Sequence, residues 1–547
     1  VAPDAPADLV MQATAWTADR RHTDGVLARL PVRPFGRVLA GSASGVMDGP
    51  EHIVDVPLVA EDLPGSRSMV VRVTPGVGAP LASAVDMLMD YPYGCTEQTL
   101  SRIVPLAKVN ALDPSLLRPE QRKRIRQLVV DGVSRLRRFQ HPSGGWGWWE
   151  YGDDDPFLTA YVLHGLLDLQ AAGVEVPRSV VFSARDALLA MEKQGGKAGI
   201  WGVWAAYRAK APGLGRPRMP KSPSVRDLAA AILWEHERGG NVDALVVQLR
   251  GRRKVDGELV WWSDRKKGEW VPDRSDRMDT ALAVRALIAS NPNDPDARRG
   301  LRWLLSERDG DGFGDTRDTA FVTDALCAWI RTHVGSRAEP ESLVVAVNGS
   351  QVALEGVSGE RLARVPARLL KPGDNRLRIA VNGVDPQSVF WSVSFRQTLP
   401  LSPRRGLDPV VADGVTLGRE YLVDERVREQ FRVGDNIVVR LTIETPVPLH
   451  HVLLEDPFPA GLEATERGTA QVETGGMEWT EPWENVDVRD DRIALFFRRI
   501  EPGKHVYTVH LRAQSPGRYA VVPASLVPMY RPGMRIESRS ASLEIAP

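Results

Sequence analysis

The chain has 547 residues, 43% of them apolar and 26% charged, with 70 basic and 70 acidic side chains and therefore no formal net charge. That length exceeds what one hydrophobic core fills, since single cores stop growing at roughly 250–300 residues, so several domains are expected. Zero net charge speaks against a chain-wide nucleic-acid or anionic-membrane footprint. Two cysteines cannot build a disulfide framework or a cysteine-rich zinc site, and no apolar run approaches the ~18 residues that span a bilayer.

The chain opens "VAPDAPADL", without Met, basic n-region or apolar h-region, so no targeting signal is read there. The expectation is a removed leader or a piece of something longer. Residues 1–80 read as β, with "RSMVVRV" (Arg67–Val73) as a strand and "SGVMDGPE" as a turn. From 81 to 338 the pattern is helical. From 339 the β style returns: Leu377, Ile379 and Val381 alternate with polar or small residues, and Asn348-Gly349 and Asn382-Gly383 are hairpin signals. Beyond 402 a further β region begins, in which Tyr507, Val509, Leu511 and Ala513 share one face at period two.

The helical block repeats itself. "TAYVLHGL" (Thr159–Leu166), "TALAVRAL" (Thr280–Leu287) and "TAFVTDAL" (Thr319–Leu326) share Thr-Ala, apolar positions at helical spacing and a final Leu. The last two lie one period of about 40 residues apart and the first two close to three periods, which fits helical hairpins. Gly/aromatic turns precede the first and third copies, "GGWGWW" (Gly144–Trp149) and "DGFG" (Asp311–Gly314). About six such hairpins predict a closed α/α toroid with the tryptophans at the helix entrances. The fold class is multidomain α plus β: a helical toroid inserted into a β module, then a separate β-sandwich. "QHPSGGWGWW" (Gln140–Trp149) also resembles the repeats of terpenoid cyclases, which share the toroid; Asp153, Asp154 and Asp155 would then be catalytic acids. Otherwise they form an acidic loop capping the next helix.

"YPYGCTEQ" (Tyr91–Gln98) holds one of the two cysteines. Cys327, in a helical apolar context, reads as a packed thiol. Cys95 follows a Pro/Gly/aromatic turn and starts a helix that Pro105 is expected to interrupt. It can be a buried thiol, a metal ligand, a hydrolase nucleophile or half of a covalent bond. His141, His164 and His236 are the histidines between Cys95 and residue 332, without ligand-like spacing, so no metal site is read. A helix N-terminus suits a thiolate, but no local signature supplies a base. Cys95 and Gln98 stand at i and i+3 and face the same way, so the thiol can attack the carboxamide, expel ammonia and leave an intrachain thioester.

"PYGCTEQ" resembles the thioester signature of the α2-macroglobulin and complement superfamily, in the spelling of its bacterial members. "FLTAYVLHGL", "GFGDTRDTAFVTDAL" and "ASLVPMYRPG" carry the likeness from about residue 30 to 547. The resemblance implies 1–33 as the tail of a macroglobulin-like β domain, 34–80 and 339–401 as the two parts of a CUB-like domain, 81–338 as the thioester domain, and 402–547 as a C-terminal macroglobulin domain. It further implies Cys95 as the thioester sulfur, Gln98 as acyl donor, and Glu97 as a motif residue. Met529 and Tyr530 would shield the bond with Tyr91 or Tyr93. The implied protein is a single-turnover protease trap, not an enzyme, without cofactor or metal. It would be extracytoplasmic, in the periplasm, monomeric, anchored to a membrane in full length, and would capture proteases through lysine amines rather than nucleic acid. No bait region is identifiable in the chain, and no histidine stands where complement members relay the acyl group; His141 and His164 are the candidate stand-ins.

Overall fold

The computed structural model describes the chain apart from residues 1–6, 20, 33–35, 61, 64, 76–78, 92–93, 113–116, 118, 194–198, 212–216, 266–273, 309–311, 334–339, 358–359, 401–408, 466–469, 473–484 and 532–533. An N-terminal hairpin of Ala7–Trp16 and Thr23–Val32 pairs only with itself among the described residues. Two sheets then enclose a common core. Strands Glu355–Val357, Glu360–Val365, Ser68–Pro75, Val389–Pro400 and Gly36–Val46 form one; Glu51–Leu58, Gly373–Asn382, Ser342–Val347 and Ser350–Val352 form the other. Each mixes strands from before and after the helical block. The chain therefore leaves this sandwich, folds the helices and returns.

The helices are α1 (Ala79–Asp90), α2 (Thr96–Leu112), α3 (Pro119–Arg138), α4 (Pro156–Ala171), α5 (Arg178–Lys193), α6 (Gly199–Arg208), α7 (Val225–Glu237), α8 (Asp243–Arg250), α9 (Asp276–Ser290), α10 (Pro295–Ser306) and α11 (Thr316–Thr332). Helices α2, α4, α6, α7, α9 and α11 each pack on the next, and α11 closes on α2; α1, α3, α5, α8 and α10 cover them outside. This is the expected toroid. The Thr-Ala repeats open α4, α9 and α11, so the first two copies are three inner helices apart. The repeated threonine has a clear task. Thr159, Thr280 and Thr319 each accept, through Oγ1, the backbone N–H of a buried aromatic at the helix entrance: Trp146 at 3.0 Å, Trp262 at 3.0 Å and Phe313 at 3.1 Å. The Trp146 and Trp262 indoles donate in turn to the carbonyls of Leu136 and Leu249, both at 2.8 Å. The two tryptophan turns are thus pinned to both an inner and an outer helix. The second copy takes its aromatic from a hairpin, Arg253–Asp256 with Leu259–Trp262, that the sequence did not reveal.

Two expectations need correction. Pro105 does not end its helix; α2 runs through it to Leu112. The lost i−4 hydrogen bond is outweighed by burial of Leu100, Ile103, Leu106 and Val109 on the ring. Asn348-Gly349 makes its hairpin with φ of 51° and 83°, but Asn382-Gly383 does not: the strand before it pairs in the four-stranded sheet and Val389–Pro400 in the five-stranded one. Turn chemistry fixes a reversal, whereas sheet membership is decided by which core each apolar face joins.

The C-terminal region forms a sandwich around its own core. Its five-stranded sheet runs Asn485–Val488, Arg492–Ile500, Leu449–Pro457, Ser525–Pro528, Ile536–Glu537. By the two-residue period of strands, Val452, Leu454, Leu495 and Phe497 face that core. Leu453, Ala494 and Phe496 face the opposite way and pack on Tyr91, Trp149 and Met529. The continuous apolar run in "RIALFFRRI" reflects burial on both sheet faces.

Candidate functional site

Cys95 stands immediately before α2, and its carbonyl accepts the Thr99 N–H at 2.9 Å, so it is the N-cap. The Gln98 backbone N–H points at Cys95 Sγ at 3.4 Å, while the Cys95 backbone N–H donates to Gln98 Oε1 at 3.3 Å. This is the reciprocal capping box of Ser/Thr-x-x-Glu/Gln sequences, with a thiol in place of the hydroxyl. Helix-capping geometry alone therefore brings sulfur and carboxamide together. Both residues are 1% exposed.

The other polar atom of the carboxamide is covered from two sides. Gln98 Nε2 donates to the Tyr91 hydroxyl at 2.8 Å and to Met529 Sδ at 3.3 Å. Met529 and Tyr530 sit in the tight turn after Ser525–Pro528, closed by the Arg531 N–H on the Pro528 carbonyl at 3.0 Å. Tyr530 is buried in the helical core and its hydroxyl donates to Glu97. Glu97 is also an acceptor for Ser101 and, at 3.4 Å, for Thr316 Oγ1; Ser101 Oγ in turn accepts the Tyr161 hydroxyl at 2.8 Å. The Arg317 guanidinium lies over the Tyr530 ring at 4.6 Å. Burial raises the Glu97 carboxyl above its usual range, more than Arg317 lowers it; burial and the Glu97 charge hold the Tyr530 hydroxyl well above its usual range. Tyr93 lies outside the described residues.

Several partners escaped sequence reasoning. Trp148 accepts the Thr96 N–H on its carbonyl at 2.9 Å, and its ring packs at a tilt against His451 at 4.2 Å and Tyr530 at 5.9 Å. His451 lies in a strand with φ of +50°, a conformation that costs a non-glycine residue, and its carbonyl accepts the Met529 N–H at 2.8 Å. The Gly/aromatic turn was visible as a signal for Trp148; nothing in the local sequence marked His451, Thr316 or Arg317.

The other candidates go elsewhere. His164 Nε2 faces the Trp201 carbonyl at 3.0 Å and Nδ1 faces Arg208 at 3.1 Å, while burial, then Arg208, keep it neutral. Both ring nitrogens are thus engaged, midway along α4. His141 Nδ1 pairs with Asp154 at 2.7 Å. Asp155 caps α4, accepting the Leu158 N–H at 2.8 Å, so the Asp153–Asp155 run is a capping loop rather than an acid cluster in the toroid. Cys327 is packed in α11, its thiol pushed up to about 12 by burial.

Family models for the "Bacterial Alpha-2-macroglobulin MG10 domain" and the "A-macroglobulin TED domain" match residues 413–533 and 68–199. The alpha-2-macroglobulin of Escherichia coli K12 is 25% identical over 85% of this chain and 29% of its own length. The structure of Salmonella alpha-2-macroglobulin reacted with methylamine aligns over 100% of this chain and 39% of its own, at 19% identity and TM-score 0.69. That of native E. coli alpha-2-macroglobulin from domain MG7 to the C-terminus aligns over 100% and 95%, at 19% identity and TM-score 0.67. The chain spans 21–33% of the length of the curated relatives matched first.

Proposed function

We propose that this chain, the C-terminal portion of a bacterial alpha-2-macroglobulin, carries an internal thioester between Cys95 and Gln98 and captures an attacking protease covalently through a lysine amine. The observation that carries the reading is the reciprocal Cys95–Gln98 capping box, sealed by Tyr91, Met529 and Tyr530. The likeness to a relative solved after reaction with methylamine supports it.

The chemistry follows from the contacts. Cys95 Sγ adds to Gln98 Cδ, the C–N bond breaks, and ammonia leaves carrying the thiol proton. The leaving nitrogen lies against the Tyr91 hydroxyl and Met529 Sδ. By microscopic reversibility an incoming amine attacks from that same side, so the residues that shield the bond also occupy the path to it. The amine then forms an amide with Gln98 and the proton ends on sulfur. Such a device acts once per molecule and needs neither cofactor nor metal. We assign 34–80 with 339–401 to one CUB-like module interrupted by the helical domain at 81–338, 402–547 to a macroglobulin domain and 1–33 to the tail of another. The placement outside the cytoplasm, the membrane anchor of the whole protein and its monomeric state belong to the same reading.

Intact mass decides the matter. The native chain should weigh one ammonia less than its sequence, and methylamine should release one thiol and leave an N-methyl amide on Gln98. Heating the denatured, unreduced chain should split it between Glu97 and Gln98, because the Gln98 backbone nitrogen can close on its own activated acyl carbon. Gln98→Ala should abolish the cut. A titratable Cys95 thiol in fresh protein of full sequence mass would overturn the assignment.

A further inference from the structure

The Gly94 carbonyl and the Cys95 N–H belong to one planar peptide group, and both of its ends are engaged. Arg135 Nη1, from the last turn of α3, donates to Gly94 O at 2.9 Å; the Cys95 N–H donates to Gln98 Oε1 at 3.3 Å. The approach of the guanidinium depends on glycine, because a Cβ at position 94 would lie 2.3 Å from Nη1. The Phe139 ring sits 6.0 Å from the Arg135 guanidinium carbon. Two surface clefts, of about 330 and 230 Å³, are both lined by Gly94 and Arg135 and bring solvent to this contact.

We propose that Arg135 is a positioning residue for acyl transfer, which orients and polarises the Gly94–Cys95 peptide so that its N–H stabilises the oxyanion on Gln98 Oε1. This rests on the thioester reading above. In aminolysis the amine nitrogen bonds to Gln98 Cδ and the carbonyl π electrons move onto Oε1. They then return, the C–S bond breaks, and its electron pair goes to Cys95 Sγ, which takes the proton released by nitrogen. Thioester formation passes through an adduct with the charge on the same oxygen. A donor aimed at that oxygen acts where charge develops, which is where hydrogen bonds contribute most to rate. A guanidinium on the carbonyl end draws density from the amide nitrogen and makes the N–H a stronger donor, since linked hydrogen bonds polarise one another and charged ones do so most.

The experiment uses the full chain, its thioester verified by mass, and three variants: Arg135→Ala, Arg135→Lys and Gly94→Ala. Outright loss of an oxyanion donor slows reactions by about 10²–10³-fold, so loss of its relayed polarisation should slow methylamine aminolysis roughly tenfold in Arg135→Ala. The infrared band of the thioester carbonyl should move to higher frequency in that variant, because its hydrogen bond has weakened. Guanidinium chloride, which the clefts admit, should restore rate and band in Arg135→Ala and leave the parent unchanged. Arg135→Lys should fall between, and Gly94→Ala should resemble Arg135→Ala. Unchanged rates and band in a chain that does carry the thioester would overturn this proposal alone. So would a slower rate with neither band shift nor guanidinium rescue, the signature of mere structural damage. A parent chain without the ammonia deficit would overturn the thioester reading, and this one with it.

Discussion

At the C-terminal end of the inner ring, Lys108 reaches both Asp168 and Asp324, Arg208 holds Asp168 at 2.6 Å and Arg285 holds Asp324 at 2.5 Å. At the opposite end, Glu97, Asp279, Asp315 and Asp318 cluster where the inner helices begin, beside Arg317 and Arg277. The carboxylates of both ends are buried, yet their titration moves in opposite directions. Burial would raise Asp168 and Asp324, but Lys108, Arg208 and Arg285 outweigh it and hold both below the usual range. At the other end burial prevails: Glu97 and Asp315 are raised, Asp279 to about 6, and Asp318 to about 8 by burial and the Asp315 charge. Three cations on two carboxylates make the first end a fixed structural tie. At the other end burial outweighs Arg317, Arg277, Arg226 and Arg274, and Glu97 is held by hydroxyls, including one that arrives from the C-terminal sandwich.

The largest test of this contrast is Lys108→Met. It leaves two buried carboxylates short of their shared cation and should cost about 3 kcal/mol, as breaking buried ion pairs does. Glu97→Gln should cost about 1 kcal/mol, because its partners are hydroxyls that an amide can also serve. Urea midpoints measured on both variants decide it, and the reverse order would break the comparison.

Next comes the docked tyrosine. Tyr530→Ala removes a buried ring from the Glu97 and Arg317 site, and the proposed thioester should be lost spontaneously at least ten times faster, a loosening of about 1.4 kcal/mol or more. Tyr530→Phe, which keeps the ring, should show a smaller acceleration. Thiol release followed at neutral pH without added amine checks both, and an unchanged rate in Tyr530→Ala would show that the turn is not the shield.

The pH dependence sharpens the contrast. The folded-state values of Asp318 and Asp279 lie above the unfolded one, near 3.9. The stability they contribute is whole below that value and fades as pH rises through about 6 and about 8. Asp168 and Asp324 behave oppositely, contributing above the unfolded value and losing it only as pH falls through their depressed ones. The urea midpoint should therefore decline as pH rises from about 4 to about 8, and Asp318→Asn should flatten that slope. A midpoint rising across the window would contradict the assignment. The smallest effect is expected at the repeat. Thr280→Val strips the Trp262 N–H of its acceptor and should cost about 1 kcal/mol, without altering thioester reactivity.

What the sequence determined by itself is what short-range physics controls. Alternation of apolar residues at period two named the buried faces of Gly373–Asn382 and Gly503–Ala513, and the Thr-Ala repeat counted out the ring. The i, i+3 spacing of Cys95 and Gln98 sufficed to pair them, because a capping box is built within four residues. Glu97 was legible as a motif member and no more, since its partners come from other helices and from another domain. Thr316 lies 219 positions away, and Met529 and Tyr530 meet Gln98 and Glu97 across 431 and 433. Which end of the ring stays ionised, which strand Asn382-Gly383 leads to, and how His451 turns its backbone to hold Met529 were decided only in the tertiary structure. Desolvation, charge balance and sheet membership depend on what surrounds a group in space, and the order of residues along the chain does not carry that information.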